Sequence, residues 1–549
     1  MKRVLSRTAA VLLVAVGACV LALAFPGFWL KPLLENRLSA QLGRAVEIEG
    51  PVDLVVFNPP TVFAQGVAVA NPAWAQDPWL LQAERLRIVF DRAALWSLTL
   101  RPTIIALKAP YLSLSRNAQG AATWDIAGLD RDLGGASGTN GSLLDTVILQ
   151  DGHFRLHVPN QATDITGRLD ATAEGTAYTA AGTIRGHRAD LTGSGGPLLP
   201  LLRGGEPWPL DMSGTVGAHA LTARGTLTEL PVPTGLDLSL AGRGPDLAGL
   251  GALVDVPLPP SPPYDLTGRL TLLDGRWQFS DAAGTLGTSR LSGLVAVEPS
   301  PRTDSPLLLT VDVSADHLNV ADLPPLSAIT SGAGGFHHAA TITVEAETLV
   351  VGAVILSNVQ AQGTMRGGTL RLSPISLELG EGRAVGEAVL ADGSAPTGTA
   401  TFLLSDGDVG RKWLEAVSPA LADALIPSDA ESTSLRCAAV GLTLQQGQAN
   451  ATLYAETGNA LLRAAGSIAL ETVTVDLAAR VDPQNAEDAS RPGFLHIAGP
   501  LLSPTTTQDG LPPARLKTLE KMESPGGNGC QRAWEEDQSR ILAPEDSPP

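Results

Sequence analysis

The chain has 549 residues, too many for one ordinary hydrophobic core, so several lobes or one extended array is expected. Its 38 Lys and Arg against 56 Asp and Glu give a net charge of −18, the wrong sign for a nucleic-acid partner. Hydrophobic residues make up 44% and charged residues only 17%, which excludes an acidic disordered chain, while 58 Gly, 41 Pro and 4% aromatics favour short strands and turns over long helices.

Lys2, Arg3 and Arg7 precede an uncharged run that continues to Leu30, interrupted at Pro26-Gly27. The clean part, Thr8–Phe25, is 18 residues long. At about 1.5 Å per residue it reaches roughly 27 Å, enough for a hydrocarbon core. The basic residues ahead of it keep that end in the cytoplasm and send everything after residue 30 across the membrane. Three readings compete: an uncleaved anchor, a signal peptide cleaved at Ala22-Leu23-Ala24, and a lipoprotein with Val16-Gly17-Ala18-Cys19 as its attachment box. The apolar run continues past Cys19, and Phe28, Trp29 and Leu30 resemble an interfacial belt. A single-pass anchor over residues 1–30 is therefore favoured.

Lys31–Arg44 reads as a short amphipathic helix, with Leu34, Leu38 and Leu42 every four residues and Gly43 as its C-cap. It could close the end of the next domain or lie on the membrane surface. From Ala45 the period changes to two. Leu309, Val311 and Val313 alternate with Thr310, Asp312 and Ser314. Ile342 and Val344 alternate with Thr341, Thr343 and Glu345, and Val473, Val475 and Leu477 with Thr474, Asp476 and Ala478. Each is a half-buried strand. A small unit, Gly-x-apolar, opens strand after strand, as at Gly167, Gly182, Gly214, Gly225, Gly268, Gly363, Gly398 and Gly466. Glycine at a strand edge permits the bend that lets a sheet curl.

Composition marks the breaks. Asp130–Gly141 is Gly-rich and polar. Leu198–Pro209 and Pro257–Pro263 are Pro-rich and are read as loops outside any central strand. Three β regions follow, at about 45–130, 142–325 and 333–500. The tail, 503–549, carries one amphipathic helix at Gln531–Leu542 and a disordered end.

Nearly every strand has one apolar face, and few helices exist to cover it. Two sheets can stack as a sandwich, or one long sheet can curl into a gutter lined by aliphatic side chains. Leu, Val, Ile and Ala dominate that lining, which suits acyl chains better than a polar ligand. The residues alone leave both open and lean to the sealed sandwich.

Chemistry is absent by pattern. There is no phosphate-binding Gly-rich loop, no G-x-S-x-G, no H-E-x-x-H and no C-x-x-C. His337-His338 is read as a loop pair, since neighbours on a strand point to opposite faces. Glu345 and Glu347 share a strand face but read as solvated, as do Glu535, Glu536 and Asp537 in the tail helix. No catalytic residue, metal ligand or cofactor is expected. Cys437 and Cys530 are the candidates for one disulfide in an oxidising compartment; the alternative is two unpaired thiols.

The chain resembles the AsmA family of bacterial envelope proteins. The resemblance is carried by the basic start and apolar span, then Leu33-Leu34-Glu35-Asn36-Arg37-Leu38 leading into Gly43-Arg44-Ala45-Val46-Glu47-Ile48. Val67-Ala68-Val69-Ala70-Asn71-Pro72-Ala73-Trp74 is similar to the family's strand ending in Asn-Pro. Pro110, Leu112, Leu114, Gly120 and Trp124 fall on a second pattern, with Thr123 where the family commonly has Asn. Gly244-Pro245-Asp246-Leu247, Leu258-Pro259 and Pro262–Gly268 resemble a further segment, and Leu435-Arg436-Cys437 the closing domain.

The resemblance implies a mainly β fold: one N-terminal transmembrane helix, then long curled antiparallel sheets forming an apolar groove, with few short helices. It implies a non-enzymatic protein of the bacterial inner membrane, its bulk periplasmic, serving outer-membrane biogenesis by carrying phospholipid acyl chains. The candidate lining is then Leu309, Val311, Val313, Ile342, Val344, Val473, Val475 and Leu477. The alternative is a scaffold for outer-membrane assembly components, working through exposed strand edges.

Overall fold

The computed structural model describes residues 26–56, 59–91, 102–125, 144–203, 206–228, 234–254, 258–299, 307–323, 339–351, 354–379, 382–391, 397–417, 419–427, 429–445, 448–469, 474–483, 493–500, 505–507, 519 and 530. Two compact units divide the chain: Met1–Arg243 with Leu270–Asp274, and Gly244–Arg269 with Gly275–Pro549. The predicted span Thr8–Phe25, with Lys2, Arg3 and Arg7, lies outside the described residues. Among the described residues no helix is long and apolar enough to cross a membrane.

The first unit opens with helix α1 (Pro26–Leu42), which starts five residues before the helix read from the sequence. Its strands are β1 (Val46–Ile48), β2 (Val52–Val55), β3 (Thr61–Ala70), β4 (Trp79–Phe90), β5 (Pro102–Lys108), β6 (Tyr111–Ser115) and β7 (Thr146–Val158). They continue with β8 (Thr163–Ala171), β9 (Thr176–Ile184), β10 (His187–Gly195), then a short helix α2 (Leu198–Arg203), β11 (Trp208–Val216), β12 (His219–Thr228) and β13 (Gly235–Gly244). From β7 to β13 each strand pairs antiparallel with the next.

Leu34, Leu38 and Leu42 of α1 pack on Val46, Ile48, Val52 and Val62 of the sheet, so the helix closes that end of the unit. Its polar side chains also serve the edge. Glu35 Oε1 accepts from the Ile48 N–H at 2.9 Å and Ser39 Oγ from the Val46 N–H at 2.9 Å. Both donors lie on β1, which pairs with β3. An edge strand with its outward N–H groups taken is a poor template for a further strand.

In the second unit a helix α3 (Leu247–Val254) precedes β14 (Tyr264–Leu273), the strand through which the division passes. Then come β15 (Arg276–Leu286), β16 (Ser289–Pro299), β17 (Leu307–Asn319), β18 (Ala339–Val351), β19 (Val354–Arg366), β20 (Thr369–Leu379), β21 (Gly382–Ala391) and β22 (Thr397–Gly410). Helices α4 (Arg411–Val417) and α5 (Pro419–Leu425) intervene before β23 (Ser432–Gln445), β24 (Gln448–Thr457), β25 (Ala460–Ala469), β26 (Thr474–Pro483), β27 (Phe494–Pro500) and β28 (Thr505–Thr507).

The architecture is mainly β with few short helices, as expected, but the sheet is not wholly antiparallel. β5 and β6 both pair parallel with β7, and β17 pairs parallel with β18. The cause is connection length. A tight turn returns the chain antiparallel, whereas the long links into β7 and β18 allow it to run back and restart in the same direction.

Two further expectations are corrected. Leu198–Pro209 is not a loop: it contains α2, and Pro209 sits in β11, flanked on both sides by strands. Pro209 is tolerated because the β10 ladder ends one residue later, at Leu210, so no ladder bond needs its missing N–H. Seven of the eight recurring glycines lie inside strands rather than at their edges, as Gly167 does in β8 and Gly466 in β25, whereas Gly398 is the second residue of β22. A Cβ on Gly167 would lie 2.6 Å from the Phe154 ring and 2.2 Å from the Thr179 carbonyl oxygen. Glycine makes room there for a large side chain on the neighbouring strand to lie across it.

Candidate functional site

The register of the second unit aligns the predicted apolar positions into rows. Residues directly opposite each other on paired strands share a face. Val311 is opposite Val295 on one side and Ile342 on the other. From Ile342 the row passes through Gly363, Leu372, Ala388 and Ala400. It continues through Leu442, Ala451 and Gly466 to Leu477 and ends at Ile497. Val311, Ile342 and Leu477, read from separate stretches of sequence, therefore belong to one stripe.

Two flanking rows run alongside. One leads from Leu309 through Ala340, Met365, Leu370 and Leu390, and reaches Ile468 and Val475. The other leads from Val313 and Val344 through Ala361, Ile375 and Phe402 to Leu453, Ala464, Ala479 and Leu495. Every position named is apolar or glycine. The opposite face carries Thr310, Thr341, Thr364 and Arg371 in an equivalent row.

Burial distinguishes open from sealed stretches. Leu309, Val311, Val313, Ile342, Val344 and Leu477 are half-buried, not core. Trp277 and Val295, at the start of these rows, are 41% and 38% exposed. Val475 is different: at 4% exposed it is sealed. Val473 lies outside the described residues. The first unit has a comparable row, in which Leu81, Leu112, Phe154, Gly167, Ala180 and Leu191 are successive cross-strand partners. A half-buried aliphatic stripe has no directional bonding groups. It can hold apolar chains but cannot orient a polar substrate.

Polar chemistry is confined to other places. A pocket of about 190 Å³ is lined by Trp74, Asp77, Ser113, Arg116, Arg155 and His157. Arg155 donates from Nε and Nη2 to both oxygens of Asp164 at 3.1 and 2.8 Å. The hydrogen bond from Arg155 holds the Asp164 carboxyl below its ordinary range, and Asp164 in turn raises Arg155. Ser113, Ser115, Arg155 and His157 alternate with Leu112, Leu114, Phe154 and Leu156, so this pocket is on the polar face of its strands. The alternation of these polar residues with leucine and phenylalanine is a period-two signal carried by the sequence itself.

Glu345 and Glu347 are both exposed, and His337-His338 and Glu535, Glu536 and Asp537 lie outside the described residues. No group of three or more His, Cys, Asp or Glu that could hold a metal occurs among the described residues. Cys437 and Cys530 are joined in a disulfide, with Cα atoms 6.0 Å apart. Cys530 packs against Ala439, Tyr454, Leu403 and Leu461. Leu403, Ala439 and Tyr454 are cross-strand partners on the face opposite the Leu453 row, so Cys530 sits on the other side of the sheet.

The sequence motifs at the N-terminal end also find their physical roles. Asn71 donates from Nδ2 to the Asp77 carbonyl at 3.0 Å, shaping the turn that ends β3. Thr123 Oγ1 accepts from the Ser115 N–H at 2.9 Å, and Arg44 reaches the Thr123 carbonyl at 3.2 Å. Trp124 lies under the Arg116 guanidinium, 5.5 Å from ring centre to charge.

These features define a class: long β-ladders with one continuous apolar face and helices at particular places along it. Comparison with known proteins gives the family likeness. Residues 1–134 match the model of the AsmA family. The chain is 24% identical over 368 residues to AsmA family protein YhjG of Escherichia coli (strain K12), an alignment covering 59% of this chain and 53% of that protein. The chain thus spans about half the length of the curated relative it matches. The resemblance to the AsmA family stands on both comparisons. No solved structure matches the chain.

Proposed function

We propose that this chain is a non-catalytic protein of the bacterial cell envelope, tethered to the inner membrane through residues 8–25, that holds phospholipid acyl chains on its apolar sheet face. The observation that carries this reading is the half-buried stripe through Val311, Ile342 and Leu477. Acyl chains need apolar area without directional bonds, and their headgroups stay in water at the open edge of the apolar face. The stripe crosses twelve strands from β16 to β27. At about 4.8 Å between strands it reaches on the order of 50 Å, far longer than one acyl chain needs.

Photocrosslinking tests this. A photoreactive phenylalanine analogue replacing Val311 in the full chain, reconstituted with phosphatidylethanolamine and phosphatidylglycerol vesicles, is expected to capture phospholipid. The same analogue replacing Thr310, on the opposite face, is expected to capture none, and Ile342→Arg to abolish capture at position 311. Equal capture at both positions, or none at 311, would sink the reading. The scaffold alternative would then lead, although the outward N–H groups of Val46 and Ile48 on β1 are already bonded to α1.

A further inference from the structure

The ladder between β22 and β23 ends with Gly410 directly opposite Ser432. Two residues facing each other at a ladder's end need only a two-residue turn to join them. The chain instead inserts residues 411–431, which form α4 and α5. Connectivity does not account for this segment, but its contacts do.

Leu414, Leu421, Leu425 and Ile426 pack in one cluster with Leu462, Ala464, Ala479 and Leu495. The last three end the row that begins at Val313 and Val344. At β17 and β18 this row is half-buried, whereas beneath the helices Ala464, Ala479 and Leu495 are 4%, 1% and 0% exposed. The same stripe is therefore open at one end and filled by the chain's own side chains at the other.

The helix pair is also fastened. Arg411 donates from Nη1 to Asp423 Oδ1 at 2.8 Å, from Nη2 to the Ile426 and Pro427 carbonyls at 2.9 and 2.8 Å, and from Nε to the Ala430 carbonyl at 3.2 Å. One guanidinium ties both helices and the return loop, which favours a fixed element over a swinging lid.

We propose that α4–α5 is a built-in occupant of the apolar track. It takes the place of an acyl chain over β24 to β27 on the Val313–Val344 row, so that the ligand-accessible part of this row ends before it. This rests on the lipid reading above and adds where the binding track stops.

The test compares three full-length proteins in phosphatidylethanolamine and phosphatidylglycerol vesicles. One carries the photoreactive analogue in place of Val344, on the open part of the row. The second carries it in place of Leu453, which packs against the helix cluster. The third adds to the second the replacement of residues 411–431 by an Asn-Gly turn, the shortest link the Gly410–Ser432 register allows. Capture of phospholipid is expected at position 344, only background at 453, and a rise at 453 towards the level at 344 once the helices are removed. Capture at 453 with the helices present, or no rise without them, overturns the inference while leaving the lipid reading intact. No capture at 344 overturns the lipid reading and this inference with it. Formation of the Cys437–Cys530 disulfide, read on a non-reducing gel, reports that the shortened protein folds. Should it not form, Arg411→Ala, which loosens the helices without shortening the chain, must raise capture at 453 or the inference fails.

Discussion

Asp322 and Ser289 are joined by two hydrogen bonds to one oxygen. Asp322 Oδ2 accepts the Ser289 N–H at 2.9 Å and its hydroxyl at 2.8 Å. Thr288 donates to the same oxygen from its N–H at 2.8 Å and its hydroxyl at 2.7 Å. The carboxylate, only 7% exposed, thereby pins the turn after β17 to the turn between β15 and β16. Asp322→Ala is expected to lower unfolding free energy by about 2–4 kcal/mol, since it strands buried donors, and a denaturant titration reads this directly.

The same group sets a pH dependence. Burial alone would raise the Asp322 pKa, but the hydrogen bonds from Thr288 and Ser289 outweigh it and hold the carboxyl below its ordinary value. A depressed folded pKa means that the ion is favoured by folding. Its contribution is complete above the unfolded carboxylate pKa of about 3.9 and is lost as pH falls through the lower folded value. Below about pH 4 the gap in stability between wild type and Asp322→Asn should therefore shrink. A gap that widens on acidification would contradict this assignment.

Open and sealed positions of the apolar face should respond differently to charge. Val311→Asp is expected to cost about 1 kcal/mol or less, because its surroundings are half solvated, while removing phospholipid capture. Val475→Asp is expected to cost about 3 kcal/mol or more, because its site is sealed. Thermal unfolding of the two variants side by side checks the contrast; equal losses would mean that both sites are core.

Gly167→Ala is expected to cost about 1–3 kcal/mol through overpacking. The added methyl meets the Phe154 ring, but also the Thr179 carbonyl oxygen, which no side-chain change can move. Phe154→Ala in the same protein should therefore fail to restore the lost stability. Full restoration would show that the ring alone limits the site.

Reduction of the Cys437–Cys530 bond opens a sequence separation of 93 residues. Chain entropy then predicts a stability loss of about 4.6 kcal/mol. Cys530 would also be free to leave its packing against Leu403, Tyr454 and Leu461. Denaturant midpoints with and without reductant, together with binding of a hydrophobic dye, measure both effects.

Much of this molecule was legible in its sequence, because a strand's period of two is a local property. Leu309 to Val313, Ile342 to Val344 and Val475 to Leu477 could be assigned to apolar faces from their neighbours alone, and the Gly and Pro content told strands from helices. The family resemblance was likewise carried by short local patterns, from Leu33–Leu38 to Trp124.

What lay beyond the sequence depends on register, which links residues far apart in the chain. Only pairing puts Val311 and Leu477 on one stripe, and only the long link into β18 makes its pairing with β17 parallel. The sequence shows Val313 and Val475 as equivalent alternating valines. Tertiary structure leaves one half-buried and seals the other, because coverage of a sheet face is decided by whatever packs upon it. The role of α4–α5 was invisible for the same reason: seven-residue helices carry little periodic signal, and their meaning lies in the residues they bury.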